Sequence, residues 1–185
     1  MGGIAAVSVP VFAERGKNMN LIHRPINYEK DKDYILERHC RVNYECDCPW
    51  KRATMSYEDY RNEWFSLQSQ IKGFSEMLLE SAKDGRTIAE IIENENNIKV
   101  AYLWVSFNAD EESGFYFAAV QDIYVEEEFR NMGIAELLMK YAETKAKENG
   151  AKVIRSGTGC ENMKSYNLHN KLGYYQYRYE FEKLL

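Results

Sequence analysis

The chain has 185 residues, 45% of them hydrophobic and 29% charged, which suits one globular domain with a single core. Its net charge of −5 excludes a nucleic-acid binder working through a broadly basic surface, and is compatible with a cationic acceptor such as an amine. No apolar run approaches the ~20 residues that a membrane-spanning helix needs.

Residues 1–18 hold a short apolar patch from Ile4 to Phe12, interrupted by Pro10 and lacking the basic lead of a secretory signal. They are read as an extension, residues 19–185 as a single domain, and the chain as cytoplasmic. Cys40, Cys46, Cys48 and Cys160 make no recognisable disulfide framework. His39, Cys40, Cys46 and Cys48 are close in sequence, but their spacing matches none of the usual zinc patterns, so free thiols and no metal are expected.

Asn20–Ile26 is expected as the first strand, with Pro25 tolerable only at an edge. Asp31 to about Asn43 is expected as a helix burying Tyr34, Ile35 and Val42. Tyr44–Thr54 shows neither helical nor strand period, and its Pro49 suggests a loop. Ser56-x-x-Asp59 resembles a capping box, and Tyr60, Trp64, Leu67, Ile71, Phe74 and Leu78 recur at steps of four and three. This predicts one helix with a core-facing stripe, stopped by Gly85.

Strands are predicted at Thr87–Ile92, Ile98–Phe107 and Gly114–Val125, joined by polar turns. Ile134, Leu137, Leu138, Tyr141 and Ala142 share one helical face, and the helix runs to about Asn149. Ala151–Ser156 is a short strand and Asn162–Leu172 a helix stopped by Gly173. Tyr175, Tyr177, Tyr179 and Phe181 alternate with polar residues, predicting a final strand. The order predicts an α/β mixed sheet with helices on both faces.

Arg130-Asn131-Met132-Gly133-Ile134-Ala135 lies between the end of a strand and the start of a helix. A helix N-terminus offers unpaired N–H groups and partial positive charge, which suits phosphate. Gly133 permits a sharp turn and a close approach. The segment resembles the acyl-CoA-binding motif of the GNAT superfamily of N-acetyltransferases, Gln/Arg-x-x-Gly-x-Gly/Ala after a strand. Further on, the run from Asn162 through Leu168-His169-Asn170-Lys171-Leu172-Gly173-Tyr174 resembles that family's C-terminal motif, Asn before a helix ending Leu-Tyr-x-Lys-x-Gly-Phe. The resemblance extends from Met19 to Leu185, and its specific part is Val120–Tyr174.

The resemblance implies an N-acetyltransferase using acetyl-CoA as co-substrate. Backbone groups of Ile123, Tyr124 and Val125 would meet the pantetheine arm, the N–H groups of Arg130, Asn131, Met132, Gly133, Ile134 and Ala135 the pyrophosphate, and Asn162 the arm again. Lys164 and Lys171 are either adenosine-phosphate contacts or solvated lysines. The chain departs from the family twice. Glu127 stands where Pro is frequent, placing Glu126-Glu127-Glu128 beside an anion site, and His169 replaces the tyrosine credited with protonating the thiolate.

An alkylammonium has a pKa of about 10.4, so an amine acceptor must lose a proton before attack. Asp122 is the first candidate, as base or acceptor anchor, or else a plain surface carboxylate. Its surroundings, Gln121-Asp122-Ile123-Tyr124-Val125, are similar to the Glu-Asp-Leu-Tyr-Val of polyamine-acetylating members, with Gln121 replacing a possible base. Alternation places Asp122 and Tyr124 opposite Gln121 and Ile123. A backbone amide near Tyr124 or Val125 would meet the oxyanion. His169 is either the acid for the thiolate or a packed helix residue, with Tyr166 in reserve. Cys160 is a buried thiol or a pocket wall. Tyr44, Glu45, Asp47 and Trp50 fall where relatives shape the acceptor pocket. The competing reading is a non-catalytic acyl-CoA-binding module. No nucleic-acid or membrane partner is expected, and members of the family are often dimers.

Overall fold

Six strands pair in sequence order to form one sheet: β1 (Val7–Phe12), β2 (Asn18–Pro25), β3 (Ile88–Glu93), β4 (Lys99–Ala109), β5 (Tyr116–Val125) and β6 (Val153–Ser156). The architecture is that of a computed structural model describing residues 7–12, 18–47, 49–84, 87–109, 113–181 and 183. Strands β1 to β5 are antiparallel neighbours, whereas β5 and β6 are parallel. A parallel pair needs a crossover, supplied by α5 (Ile134–Glu148). The remaining helices are α1 (Tyr28–Val42), α2 (Pro49–Arg52), α3 (Tyr57–Ser66), α4 (Gln68–Lys83) and α6 (Met163–Lys171).

Helices cover both faces. Against α5 the sheet buries an aliphatic cluster that includes Leu21, Ile92, Leu103, Ile134 and Leu138. Against α1, α3 and α4 it buries an aromatic one that includes Tyr60, Trp64, Phe74, Tyr102 and Trp104. The α/β mixed sheet and its two helical layers agree with the sequence reading.

Local chemistry explains most boundaries. Asn27 caps α1 through Lys30 N at 3.2 Å, and Ser56 caps α3 through Asp59 N at 3.2 Å. Four expectations are corrected. Residues 44–54 are not a plain loop: Asn43–Asp47 form a π-helical turn, and Pro49 opens α2, where its missing N–H costs nothing. The stripe from Tyr60 to Leu78 runs over two helices, broken at Leu67 with ψ 78°, which leaves that side chain 39% exposed. Pro25 is on an interior strand, at its last residue, and among the described residues β1 pairs with β2 only as far as His23, so no described partner needs its missing N–H. Tyr175–Phe181 form no strand; Tyr175 and Phe181 are 80% and 95% exposed. Alternation alone makes no strand without an edge to pair with. Gly85, expected to stop α4, lies outside the described residues; the helix ends at Lys83.

Candidate functional site

Strand β5 parts from its parallel neighbour where the candidate residues begin. It pairs with β6 only through Phe117–Val120, so the 121–125 run has β4 on one side and no described strand on the other. Alternate backbone groups of that run therefore have no strand partner among the described residues on that side. The register with β4 slips at the same point. Val120 opposes Val105 and Asp122 opposes Trp104, leaving Gln121 as the extra residue of a bulge. Strict alternation would put Ala118, Val120, Asp122 and Tyr124 on one face. Instead Ala118 and Val120 pack in the aliphatic cluster, while Tyr124 packs in the aromatic one. Asp122 goes with Tyr124, as its partners show.

Asp122 is buried, and its Oδ2 accepts two hydrogen bonds, from Tyr102 Oη at 2.8 Å and from His39 Nδ1 at 2.9 Å. Burial, followed by the Asp122 charge, keeps the Tyr102 phenol protonated well above its ordinary range. Tyr102 stacks on Tyr124 with centroids 6.0 Å apart, and His39 stacks on Phe74 at 4.2 Å. Sequence reasoning missed His39 as a partner of Asp122. Its position four residues after the buried Ile35 marks the inward face of α1, but not which strand residue it meets.

After β5 the chain makes a short 3₁₀ turn and enters the predicted anion loop. Asn131 and Gly133 adopt left-handed backbone, φ 62° and 79°, and no side chain caps α5. The N–H groups of Asn131, Met132, Gly133, Ile134 and Ala135 have no hydrogen-bond partner among the described residues. Unpaired N–H groups at the head of a helix suit an anion. Arg130 folds back, its Nε on Val125 O at 3.0 Å and its guanidinium over the Tyr124 ring. That carbonyl, one of the backbone groups expected at the pantetheine arm, is thus already engaged.

Two of the three acids beside the loop are paired with arginines. Glu126 binds Arg38 at 2.9 Å and Glu127 lies 3.5 Å from Arg41, both arginines on α1. A cavity of about 560 Å³ opens there, lined by Tyr34, Arg38, Arg41, Tyr57, Tyr124 and Glu126 among others.

The second motif contributes differently. Asn162 Oδ1 caps α6 by accepting from Ser165 N at 3.1 Å. His169 Nδ1 donates to Ser165 O at 2.7 Å, which leaves Nε2 as the lone-pair nitrogen of the neutral ring. That Nε2 is buried with no partner among the described residues. Tyr166 is 38% exposed. Lys171 bonds Glu136 at 2.6 Å and so ties α6 to the first turn of α5. Arg52 pairs with Glu161, bringing α2 to the start of this motif. In the preceding turn Tyr44 packs in the aromatic layer and donates to Met55 O at 2.9 Å, Glu45 pairs with Arg41, and Trp50 is exposed. Cys160 is exposed rather than buried. Among the described residues, no group of three or more His, Cys, Asp or Glu is placed to hold a metal ion. No helix among them is long and apolar enough to cross a membrane.

Residues 47–174 match the Acetyltransferase (GNAT) family. No curated protein matches the chain significantly. Solved structures do. One, from Pyrococcus furiosus and assigned as an acetyl transferase, shares 24% identity over 84% of this chain and 96% of its own, at TM-score 0.57. A GCN5-related N-acetyltransferase from Ralstonia eutropha shares 18% over 89% and 98%, at TM-score 0.60. The third is the aminoglycoside acetyltransferase AAC(6')-Iy in complex with the bisubstrate analog CoA-S-monomethyl-acetylneamine, 16% identical over 89% and 98%, at TM-score 0.54. At these identities the likeness is one of fold.

Proposed function

The chain belongs to the Acetyltransferase (GNAT) family, and from that premise we propose that it transfers an acetyl group from acetyl-CoA to a primary amine of a small molecule or peptide. The observation that carries this reading is the loop of unpartnered N–H groups at the head of α5, directly after the strand that parts from β6. Pyrophosphate fits there because the loop supplies donors from Asn131 to Ala135 and because Arg38 and Arg41 hold Glu126 and Glu127 aside. The open edge of the 121–125 run supplies backbone groups to the pantetheine arm and one N–H to the developing oxyanion. The amine attacks the thioester directly, and the thiolate leaves with a proton. On this reading His169 or Tyr166 sits on the departing side, and Asp122 on the acceptor side.

Free-thiol release from acetyl-CoA, run against polyamines, aminoglycosides and amino-terminal peptides, tests the reading. Release that depends on one amine class supports it and identifies the acceptor. CoA binding without release by any amine would favour the non-catalytic binding module. Absence of both would sink the proposal.

A further inference from the structure

We infer that His39 is the group that takes the proton from the acceptor amine, with Asp122 as the residue that positions it. The inference rests on the acetyl-transfer reading and assigns its base to a helix that neither family motif covers.

Asp122 and His39 are unequally placed. The Asp122 side chain is 7% exposed and its Oδ2 is occupied by Tyr102 and His39, whereas the His39 side chain is 25% exposed. A carboxylate has only lone pairs to offer, so the imidazole nitrogen facing it carries the hydrogen. His39 is thereby held in the tautomer with its lone pair on Nε2, and no described residue bonds that nitrogen. Phe74 stacks on the ring and Trp64 meets it edge-on at 6.2 Å, so its plane is fixed by two apolar neighbours. From β5 the charged group that faces it is Asp122. The pair stands where β5 has left β6, beside the backbone run assigned to the thioester. A base held in one tautomer by a buried carboxylate is the arrangement that general-base chemistry favours.

The acceptor ammonium gives one proton to His39 Nε2, and the resulting imidazolium is stabilised by Asp122. The freed nitrogen lone pair forms the N–C bond at the thioester carbonyl. The C–S bond breaks with its electron pair on sulfur, and the second nitrogen proton ends on the thiolate.

His39→Asn keeps an amide N–H where Nδ1 stands and removes Nε2, so it separates the proton-accepting atom from the contact with Asp122. With the amine found in the thiol-release assay, kcat is expected to fall ~100-fold or more. CoA affinity by calorimetry should not move, and the acid limb of the pH–rate profile should flatten. His39→Ala should regain turnover with added imidazole, which a purely structural role would not allow. Circular dichroism identifies any variant that fails to fold, and imidazole rescue is read on the one that does. If the wild type turns over and folded His39→Asn stays within threefold with an unchanged profile, the assignment of His39 is overturned and acetyl transfer stands. If the wild type neither binds CoA nor releases thiol, acetyl transfer falls and the assignment with it.

Discussion

On the α5 side of the sheet the buried cluster is aliphatic throughout, from Met19 and Leu21 to Ala142 and Ala146. On the α1 side it holds Tyr60, Trp64, Phe74, Tyr102, Trp104 and Tyr124. The first layer includes a polar set, His23, Glu90 and Tyr141, whose bonds of 2.8 and 3.0 Å close on each other. The second places the phenol of Tyr102 and the imidazole of His39 on one buried carboxylate, which can still be approached from the imidazole side. Aliphatic packing gives area and rigidity without polar atoms, which suits the support of a helix whose head must stay in place. Aromatic side chains bury comparable area and carry a polar tip, so a layer built from them can hold chemistry. The α5 layer packs as support, while the α1 layer holds a buried polar cluster.

Mutations should separate the two in the same way. Leu138→Ala empties a fully buried site under α5 and should cost about 3 kcal/mol in urea denaturation, while the surviving folded enzyme keeps its kcat. A fall in kcat equal to that of His39→Asn would erase the distinction.

Acid should act through the α1 side. Asp31 is fully buried at the start of α1, bonded by Arg24 at 2.7 and 3.0 Å, by Lys99 at 2.8 Å and by Asn27 N at 2.9 Å. Burial by itself raises its pKa, but these partners outweigh it and bring the carboxyl from 3.8 to about 2. A lowered folded-state pKa stabilises above the unfolded value and is lost as pH falls through the folded one. About 2 kcal/mol should therefore disappear between roughly pH 4 and pH 2. Stability curves of wild type and Asp31→Asn over that range measure it, and parallel curves would refute it.

Gly133→Ala meets no atom within 4 Å, so its effect is backbone strain at φ 79°. It should cost about 1 kcal/mol in stability and weaken CoA binding by about fivefold, read by thermal melting and calorimetry. The smallest effect is expected at the chain end. Tyr175→Ser with Phe181→Ser should change stability by less than about 0.5 kcal/mol, because both rings are exposed. A larger loss would mean that this segment packs on something in solution.

How much of this was legible beforehand follows from how local each signal is. The cap at Ser56 and the inward stripe of α5 depend on residues within one or two turns, whereas the start of α1, expected at Asp31, lies at Tyr28 behind an Asn27 cap that the pattern did not mark. The break at Leu67 was hidden because the apolar spacing continues across it, and only the exposed Leu67 marks the bend. The tyrosines of the last segment carry a strand's period, yet pairing needs a partner edge that no local pattern supplies.

What the sequence determined by itself is the loop from Arg130 to Ala135. A strand end, two residues in left-handed backbone and the head of an amphipathic helix are all set within one short stretch, so its free N–H groups are a local consequence. Only the tertiary structure decided which face Asp122 serves and what meets it there. The bulge at Gln121 exists through pairing with β4, and it turns Asp122 away from the face that holds Ala118 and Val120. His39 reaches that carboxylate across 83 residues of chain. Contacts over that separation come from how the layers pack, which neither period nor motif encodes.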